Sequence, residues 1–259
     1  DNIFLKKEID FKNSISFKEI ETKKDCVLKP TGVYTLDNEL EGGIPSGSVV
    51  YLAADPLSMS ESFIHQFTQT RKTYYFTTER RPAYIIDNLI NINFDVSHII
   101  FIDVYGEYYL TPYGELVEDI GNEFVDNKIV EFVENTLRTI PKGEDINIIF
   151  DTFSFFLLLN IKRGKIKRLM NVIYDVTKET GALTFLYGLK NTHDNSIEKE
   201  VLNQCDVIID IELDKKGDKI TSKLTIPKVR KRIAGTNVIK FKVKGEIVSD
   251  TKTILLSGK

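Results

Sequence analysis

Residues 30–67 read PTGVYTLDNELEGGIPSGSVVYLAADPLSMSESFIHQF, and this segment sets the architecture predicted for the whole chain. A glycine-rich turn at residues 41–47 leads into the apolar run 48–53, which is typical of a buried strand. After a tight connection, a helix starts at Ser62. The segment therefore predicts a buried strand, a short loop and a helix in succession.

The loop between this strand and helix has the size of a P-loop, whose pattern is G-x-x-x-x-G-K-[ST]. All four anchor positions differ, because Ala54 and Met59 replace the glycines, Ser60 the lysine and Glu61 the hydroxyl residue. Bulky side chains obstruct the inward-turned N–H groups that a phosphate needs, and acidic side chains add negative charge. The sequence of the loop therefore predicts that Mg-ATP does not bind here in the ordinary way. The alternative is a strand-turn-helix corner that was never a P-loop. The candidate positions are Ala54, Asp55, Pro56, Leu57, Ser58, Met59, Ser60 and Glu61.

The preceding residues 31–48, TGVYTLDNELEGGIPSGS, resemble the lead-in T-G-x-x-x-L-D-x-x-L-x-G-G-I-P-x-G-S of the KaiC and RadA branch of RecA-superfamily ATPases. The resemblance covers about residues 30–250, and the D-P-L-S loop is similar to that of the archaeal HTR-like, KaiC-type proteins implicated in signalling. It implies a RecA-like three-layer α/β sandwich with a mostly parallel sheet and a C-terminal antiparallel β-hairpin extension. Residues 30–259 would form this core, and residues 1–29 an accessory extension.

Residues 73–79 (TYYFTTE) predict a strand, and Pro82 opens a predicted helix that extends to Ile92. In the resembled family this strand ends in two acidic residues, one of which orients the water that attacks the γ-phosphate. Glu79 matches the first acid and is the candidate catalytic residue, whereas Arg80 replaces the second. The alternative is a surface glutamate at a strand end.

The apolar run 146–150 is closed by Asp151, which resembles the Walker B aspartate that holds Mg²⁺ through water. Asp151 is thus the candidate metal-binding residue, and the alternative is an aspartate that caps a turn. Another buried strand is predicted at 97–105, a polar and aromatic loop at 106–121, and an amphipathic helix at 125–140.

Two basic clusters are further candidates. Lys228 and Arg230 stand where related proteins carry a K-x-R pair that reaches the γ-phosphate of the neighbouring subunit; the alternative is the charge run of an edge strand. In RecA-like rings the loop after the Walker B strand faces the central channel, so the second cluster could meet a nucleic-acid backbone or an acidic partner; the alternative is a solvated basic face of the helix predicted over 166–180. This cluster contains Lys162, Arg163, Lys165, Lys167 and Arg168.

Composition narrows the class of protein. A net charge of −3 argues against a nucleic-acid-coating surface, and no apolar run approaches the roughly 18 residues of a membrane span. Cys26 and Cys205 form no disulfide framework, which fits a reducing cytoplasm. In the accessory extension, Phe11 or Phe17 could dock on a neighbouring subunit as in the RadA branch, while edge strands or a disordered arm are the alternatives.

The combined expectation is a pseudo-ATPase that acts as a regulatory or signalling scaffold, with no nucleotide cofactor. Its partners would be other proteins or further copies in a ring or dimer. Two alternatives stay open: an enzyme that binds ATP and Mg²⁺ in an altered mode, and a recombinase paralogue that binds DNA.

Overall fold

The computed structural model describes residues 27–118, 120–216, 219–230, 237–244 and 246–249. Most of the accessory extension, including Phe11 and Phe17, lies outside these residues. The strands are β1 (Leu28–Lys29), β2 (Ile44–Pro45), β3 (Ser48–Ala54), β4 (Lys72–Thr77), β5 (Ile99–Asp103), β6 (Ile146–Asp151), β7 (Leu183–Leu189), β8 (Val207–Lys216), β9 (Lys219–Val229), β10 (Ile239–Lys244) and β11 (Glu246–Ser249).

Nine of these strands form one sheet in the order β11-β10-β9-β8-β3-β7-β6-β4-β5. Strands β8, β3, β7, β6, β4 and β5 run parallel. The strands from β8 to β11 pair antiparallel. Every residue of β3 and β6 is buried, which explains their continuous apolar sequences. The predicted mostly parallel sheet with an antiparallel extension is confirmed.

Helices cover both faces of this sheet. They are α1 (Tyr34–Glu39), α2 (Glu61–Thr68), α3 (Pro82–Asn91), α4 (Val104–Tyr109), α5 (Glu123–Arg138), α6 (Ser154–Leu158), α7 (Arg163–Thr180) and α8 (Asn195–Gln204). One core cluster joins α4, α5, α6 and α7 to the sheet, with Val130 and Leu169 fully buried. The other joins α1, α2 and α3 to the opposite face, with Phe63 and Ile85 buried. The layers are therefore helix, sheet and helix.

The glycine-rich lead-in is held by close backbone contacts. Gly43 has φ 128°, and a Cβ atom there would lie 2.2 Å from the carbonyl oxygen of Lys29, so only glycine fits. The Asp37 side chain accepts the N–H of Thr31 at 2.6 Å. Leu28 and Lys29, which the sequence interpretation assigned to the accessory extension, pair antiparallel with β2 in a separate two-stranded sheet.

One part of the sequence interpretation was wrong. The predicted loop 106–121 begins inside α4, and the strand predicted over 97–105 ends at Asp103. The Asp103 carboxylate caps α4 by accepting the N–H of Gly106 at 2.7 Å, while Val104 and Tyr108 become buried. A glycine in the first turn and adjacent aromatic residues hide this short helix, because packing rather than propensity stabilises it.

Candidate functional site: the cleft around Arg80

The loop between β3 and α2 is closed by hydrogen bonds of its own residues. The Asp55 carboxylate accepts the N–H of Leu57 at 2.9 Å, and the Asp55 carbonyl accepts the N–H of Ser58 at 2.9 Å. The Ser58 hydroxyl donates to the same carbonyl at 2.6 Å. A P-loop offers such backbone N–H groups to phosphate. In this loop the Asp55 carboxylate and carbonyl accept them instead, so they compete with any anion for these donors.

Met59 adopts the left-handed backbone conformation, with φ 54°. It occupies the position that matches the second glycine of the P-loop pattern. The loop therefore keeps a glycine-like backbone turn while carrying a side chain that is 65% exposed. An L-residue in this region costs about 1–2 kcal/mol, which makes Met59 a strained position.

We expect Met59→Gly to raise the free energy of unfolding by about 0.5 kcal/mol, because relief of the strain exceeds the entropy that glycine adds to the unfolded chain. Urea denaturation measures the change. Leu57→Gly is the matched control: Leu57 is also exposed in this loop but has no positive φ, so it should lose stability. A loss in Met59→Gly as large as in this control would contradict strain at residue 59.

Ser60 and Glu61 stand where a P-loop has its lysine and its metal-binding hydroxyl, and both contact the protein itself. The Ser60 hydroxyl is buried and forms a hydrogen bond of 2.9 Å with the hydroxyl of Tyr187 on β7. Glu61 begins α2, forms an ion pair with Arg80, and lies 3.3 Å from the Nε2 atom of His65. The loop thus presents to the cleft a carboxylate that is paired with Arg80.

Arg80 is the centre of the cleft. One nitrogen of its guanidinium, Nη2, contacts both the Glu61 carboxylate and, at 3.2 Å, the Asp151 carboxylate. Asp151 is 3% exposed at the end of β6 and also accepts the Tyr75 hydroxyl at 2.6 Å. A guanidinium therefore lies between the two carboxylates that flank the metal position in the P-loop pattern.

The pKa shifts in this cluster follow from its contacts. The contact with His65 is the largest effect that lowers the pKa of Glu61, and together with Arg80 it brings that pKa to about 2 against the opposing effect of burial. Burial is the dominant effect on Asp151 and raises its pKa, while the Arg80 charge lowers it. Arg80 thus favours the ionised form of Asp151, against the effect of burial.

Glu79 lies beside this cluster without joining it. Its carboxylate is 3.5 Å from the hydroxyl of Thr152, and burial raises its pKa above the ordinary value. Thr78 and Thr152 hold the ends of β4 and β6 together, because the Thr78 hydroxyl accepts the N–H of Thr152 at 2.7 Å. The cleft has a volume of about 400 Å³ and is lined by Pro56, Glu61, Glu79, Arg80, Asp151, Thr152, Ser154, Leu158, Tyr187, Leu189 and Thr192.

The K-x-R pair contacts its own chain and lies away from the cleft lining. The Lys228 ammonium donates to the carbonyl oxygens of Leu202 and Asn203 at 2.8 and 3.2 Å, at the C-terminus of α8. Arg230 donates to the Asn203 carbonyl at 3.1 Å and lies 3.4 Å from the carboxylate of Asp206. Both side chains thus cap a helix end, where cations are stabilised. A reach to a neighbouring subunit stays a prediction.

The second basic cluster begins at Lys162, the N-cap of α7, and carries acidic partners. Its ion pairs are Arg163–Glu200 at 3.8 Å, Lys165–Glu131 at 3.6 Å, Lys167–Glu200 at 3.4 Å and Arg168–Glu134 at 2.9 Å. These carboxylates come from α5 and α8, so they are distant in sequence. They reduce the positive potential that a nucleic-acid backbone would meet.

The structure places Glu61, Glu79 and Asp151 in the lining of one cleft and adds residues that the sequence did not assign to it. Arg80 was recognised as a replacement for an acid, and its two ion pairs were not foreseen. The sequence did contain a signal for one of these contacts. Arg80 stands where the family has an acid, and Glu61 stands where the P-loop has a hydroxyl residue, so opposite charges at these two positions could have predicted the ion pair. Tyr75, His65 and Tyr187 gave no such signal.

Across the described residues, no group of three or more His, Cys, Asp or Glu side chains is arranged to hold a metal ion. Within the same part of the chain, no helix has both the length and the apolar character required to cross a bilayer.

The fold is shared with solved structures. The KaiC-like protein PH0186 of the hyperthermophilic archaeon Pyrococcus horikoshii OT3 aligns with a TM-score of 0.65 and 17% identity, over 87% of this chain and 99% of that chain. The flagellar accessory protein FlaH of Methanocaldococcus jannaschii aligns with a TM-score of 0.64 and 17% identity, over 83% and 95% of the two chains. The predicted RecA-like fold is confirmed by these neighbours, and identity this low shows the fold alone.

No curated protein matches the sequence. The model of the family of unknown function DUF7125 matches residues 28–254, which is most of the chain. The protein is a RecA-like α/β protein that belongs to the DUF7125 family.

Proposed function

We propose that the protein is a pseudo-ATPase, a KaiC-like chain that keeps the RecA-like fold but serves as a regulatory or signalling scaffold in the cytoplasm. The observation that carries this proposal is the placement of the Arg80 guanidinium between Glu61 and Asp151. In this arrangement the protein supplies its own cation to both carboxylates. The similarity of the D-P-L-S loop to the HTR-like group agrees with a signalling role.

The residues of the cleft do not fit Mg-ATP. A metal ion beside Asp151 would have to displace Arg80, whose ion pairs already satisfy the two carboxylates. A polyphosphate would meet the Asp55 carboxylate in the loop and would lack the lysine that Ser60 replaces. Each like-charge approach in a partly desolvated site costs on the order of a few kcal/mol. We therefore assign no nucleotide cofactor and derive no hydrolytic step.

A scaffold role accounts for what the chain retains. The core strands, the glycine lead-in and the packed helices preserve the shape of the fold, while Arg80 pairs with Glu61 and Asp151 inside the cleft. Such a protein acts through its surface, by binding protein partners or further copies of itself. DNA binding of the recombinase type receives less support, because the basic side chains around Arg163 and Arg168 have acidic partners.

We expect no heat and no thermal shift when the purified protein is titrated with Mg-ATP or Mg-ADP up to about 10 mM. A ligand with a dissociation constant of about 1 mM would stabilise the folded state by roughly 1.4 kcal/mol at that concentration, so the absence of a shift excludes binding of this strength. A parallel phosphate-release assay should give the rate of the buffer alone.

Asp151→Ala is the diagnostic variant for this experiment. Nucleotide binding by the natural protein that disappears in Asp151→Ala would overturn the pseudo-ATPase proposal and favour the altered ATP-binding mode. Binding that persists in Asp151→Ala would also overturn the assignment of no nucleotide, and would place the ligand away from the Walker B position.

A further inference from the structure

The connection between α4 and α5 contains a hairpin that its own backbone holds in place. Leu110 and Leu116 form an antiparallel bridge, and the N–H of Thr111 donates to the carbonyl oxygen of Glu115 at 2.8 Å. Gly114 turns the chain at the tip, with φ 82°, and its N–H donates to the carbonyl oxygen of Thr111 at 2.8 Å. The side chains around this tip are therefore presented in a defined arrangement.

A buried carboxylate fixes the base of the hairpin to the core. Asp126, in the first turn of α5, is fully buried; it accepts the hydroxyl of Tyr108 in α4 and the N–H of Asn160 at 2.6 Å. The Asn160 amide in turn donates to the carbonyl oxygen of Gly121 at 3.3 Å. Both ends of the connection are thus tied to the body of the protein, and the surface between them is a built feature of the fold.

Four side chains within residues 113–124 are apolar and exposed, and they are here termed the apolar lobe (Tyr113, Leu116, Ile120 and Phe124). Tyr113 is 92% exposed. A large aromatic side chain removes about 150–250 Å² from water when it becomes buried. Two aromatic and two aliphatic side chains therefore offer the apolar area of an interaction surface.

Acidic residues are interspersed with the members of the lobe. Glu115, Glu118 and Glu123 are exposed, and among the described residues none of the three has an ion-pair partner. Residues 82–127 contain no lysine or arginine, and the next basic residue, Lys128, is paired with a carboxylate of α5. The lobe thus combines exposed apolar side chains with carboxylates whose charge is available to a partner.

We propose that the apolar lobe binds a basic amphipathic segment of a partner protein, in which lysine or arginine alternates with aliphatic residues. The apolar side chains of such a segment cover the lobe, and its cations pair with Glu115, Glu118 and Glu123. Nucleic acids and anionic lipid headgroups present phosphates, which these carboxylates repel. The basic cluster of α7 in a second copy fits this role less well, because its cations already pair with carboxylates of their own chain.

The aromatic side chains of the lobe act as anchors, and the carboxylates set the orientation of the partner, since exposed ion pairs alone contribute little. With an apolar area of this size the complex is weak and short-lived, as in many signalling contacts. This inference names a partner chemistry for the proposed scaffold and rests on that role for its purpose. No member of the lobe lines the cleft around Arg80, so peptide binding and nucleotide binding are tested independently.

The probe is a fluorescein-labelled synthetic peptide of about 14 residues, with leucine and lysine at helical spacing. Its binding to the full chain is followed by fluorescence anisotropy at about 0.05 M and about 0.5 M NaCl. We expect a dissociation constant of about 10–100 μM at the lower salt concentration and at least about tenfold weaker binding at the higher one. Two matched peptides, one with glutamate in place of every lysine and the other with serine in place of every leucine, should each bind at least about tenfold more weakly.

Two variants of the protein separate the apolar and the charged contributions. Tyr113→Ser with Leu116→Ser should weaken binding of the basic peptide at least about tenfold, because the anchors are removed. Glu115→Gln with Glu118→Gln should also weaken binding, and should reduce its dependence on salt, because two of the pairing carboxylates become neutral.

The matched control is Tyr84→Ser with Ile90→Ser, which removes an exposed tyrosine and an exposed aliphatic residue from α3. It should bind the basic peptide within about twofold of the natural protein. Thermal melting establishes that all variants are folded. Failure of the natural protein to bind the basic peptide would overturn the proposal. So would an equal loss of binding in this control and in the variant of Tyr113 and Leu116, or equally strong binding of the glutamate peptide.

Discussion

Replacing Arg80 with alanine is expected to lower the free energy of unfolding by about 2 kcal/mol at pH 7.5. The substitution leaves the buried Asp151 carboxylate without its cation and removes one partner of Glu61. Loss of one member of a buried ion pair costs roughly 3–5 kcal/mol, and the 34% exposure of the Arg80 side chain reduces this because water replaces part of the contact. Urea denaturation with an unchanged m value measures the loss.

The same variant should gain a response to divalent cations. Without Arg80, the carboxylates of Glu61 and Asp151 face each other across the vacated position, and oxygen ligands of this kind suit Mg²⁺ and Mn²⁺. We expect millimolar Mg²⁺ or Mn²⁺ to restore part of the lost stability in Arg80→Ala and to leave the natural protein unchanged. Arg81→Ala is the matched control, because Arg81 is the exposed neighbour at the N-cap of α3.

The pH dependence provides a second readout of the Arg80 variant. Burial raises the pKa of Asp151 and Arg80 opposes that rise, so the substitution should raise the pKa further. A carboxyl group whose folded pKa lies above its unfolded value destabilises the protein only while it is ionised, and this cost disappears as pH falls through the folded pKa. The deficit of Arg80→Ala relative to the natural protein should therefore shrink between pH 7.5 and 5.

The titration of Glu61 does not contribute to this change in stability between pH 7.5 and 5. Its pKa is lowered to about 2, so the stability it contributes is present above its ordinary value of 4.5 and is lost only at lower pH. A variant as stable as Arg81→Ala, or one whose deficit is the same at both pH values, would show that Arg80 does not serve as the internal cation of the cleft.

Asp206→Ala is expected to have the other large effect, a loss of about 3 kcal/mol. The Asp206 carboxylate is 5% exposed and accepts the N–H of Val49 at 3.1 Å and the ammonium of Lys178 at 2.7 Å. Arg230 completes the network at 3.4 Å. Truncation leaves a buried N–H without its side-chain acceptor and separates two cations from their shared anion. These contacts join the starts of β3 and β8 to the end of α7.

Asp210→Ala is the control for this prediction, since Asp210 lies in β8, close to Asp206 in sequence, and pairs with Lys190, but its side chain is 31% exposed. We expect a loss below about 1 kcal/mol there. Arg230→Ala should show an intermediate loss if its role lies within the chain. Equal losses in Asp206→Ala and Asp210→Ala would refute the buried network, and an unaffected Arg230→Ala would leave the K-x-R pair available for a neighbouring subunit.

Much of the fold was readable from the sequence because its signals are local. Continuous apolar runs predicted β3, β6 and β7, and Pro82 marked the start of α3 where the structure has it. The short helices α4 and α6 were not predicted, because their residues form helices only where the surrounding core buries them. The K-x-R motif of Lys228 and Arg230 was likewise visible in the sequence. Their contacts to α8 were not, because those contacts depend on how the strands of the whole sheet are arranged.

For the cleft, the sequence by itself determined which positions differ from the patterns it resembles: Ser60 aligns with the P-loop lysine, Glu61 with the hydroxyl residue, and Arg80 with the second acid. The contacts of these residues were decided by the tertiary structure alone. Glu61, Arg80 and Asp151 come from three separate segments, and the ends of parallel strands bring them within contact. Local residue types fix propensity and charge, whereas an ion pair between distant segments depends on distances that only the folded sheet sets.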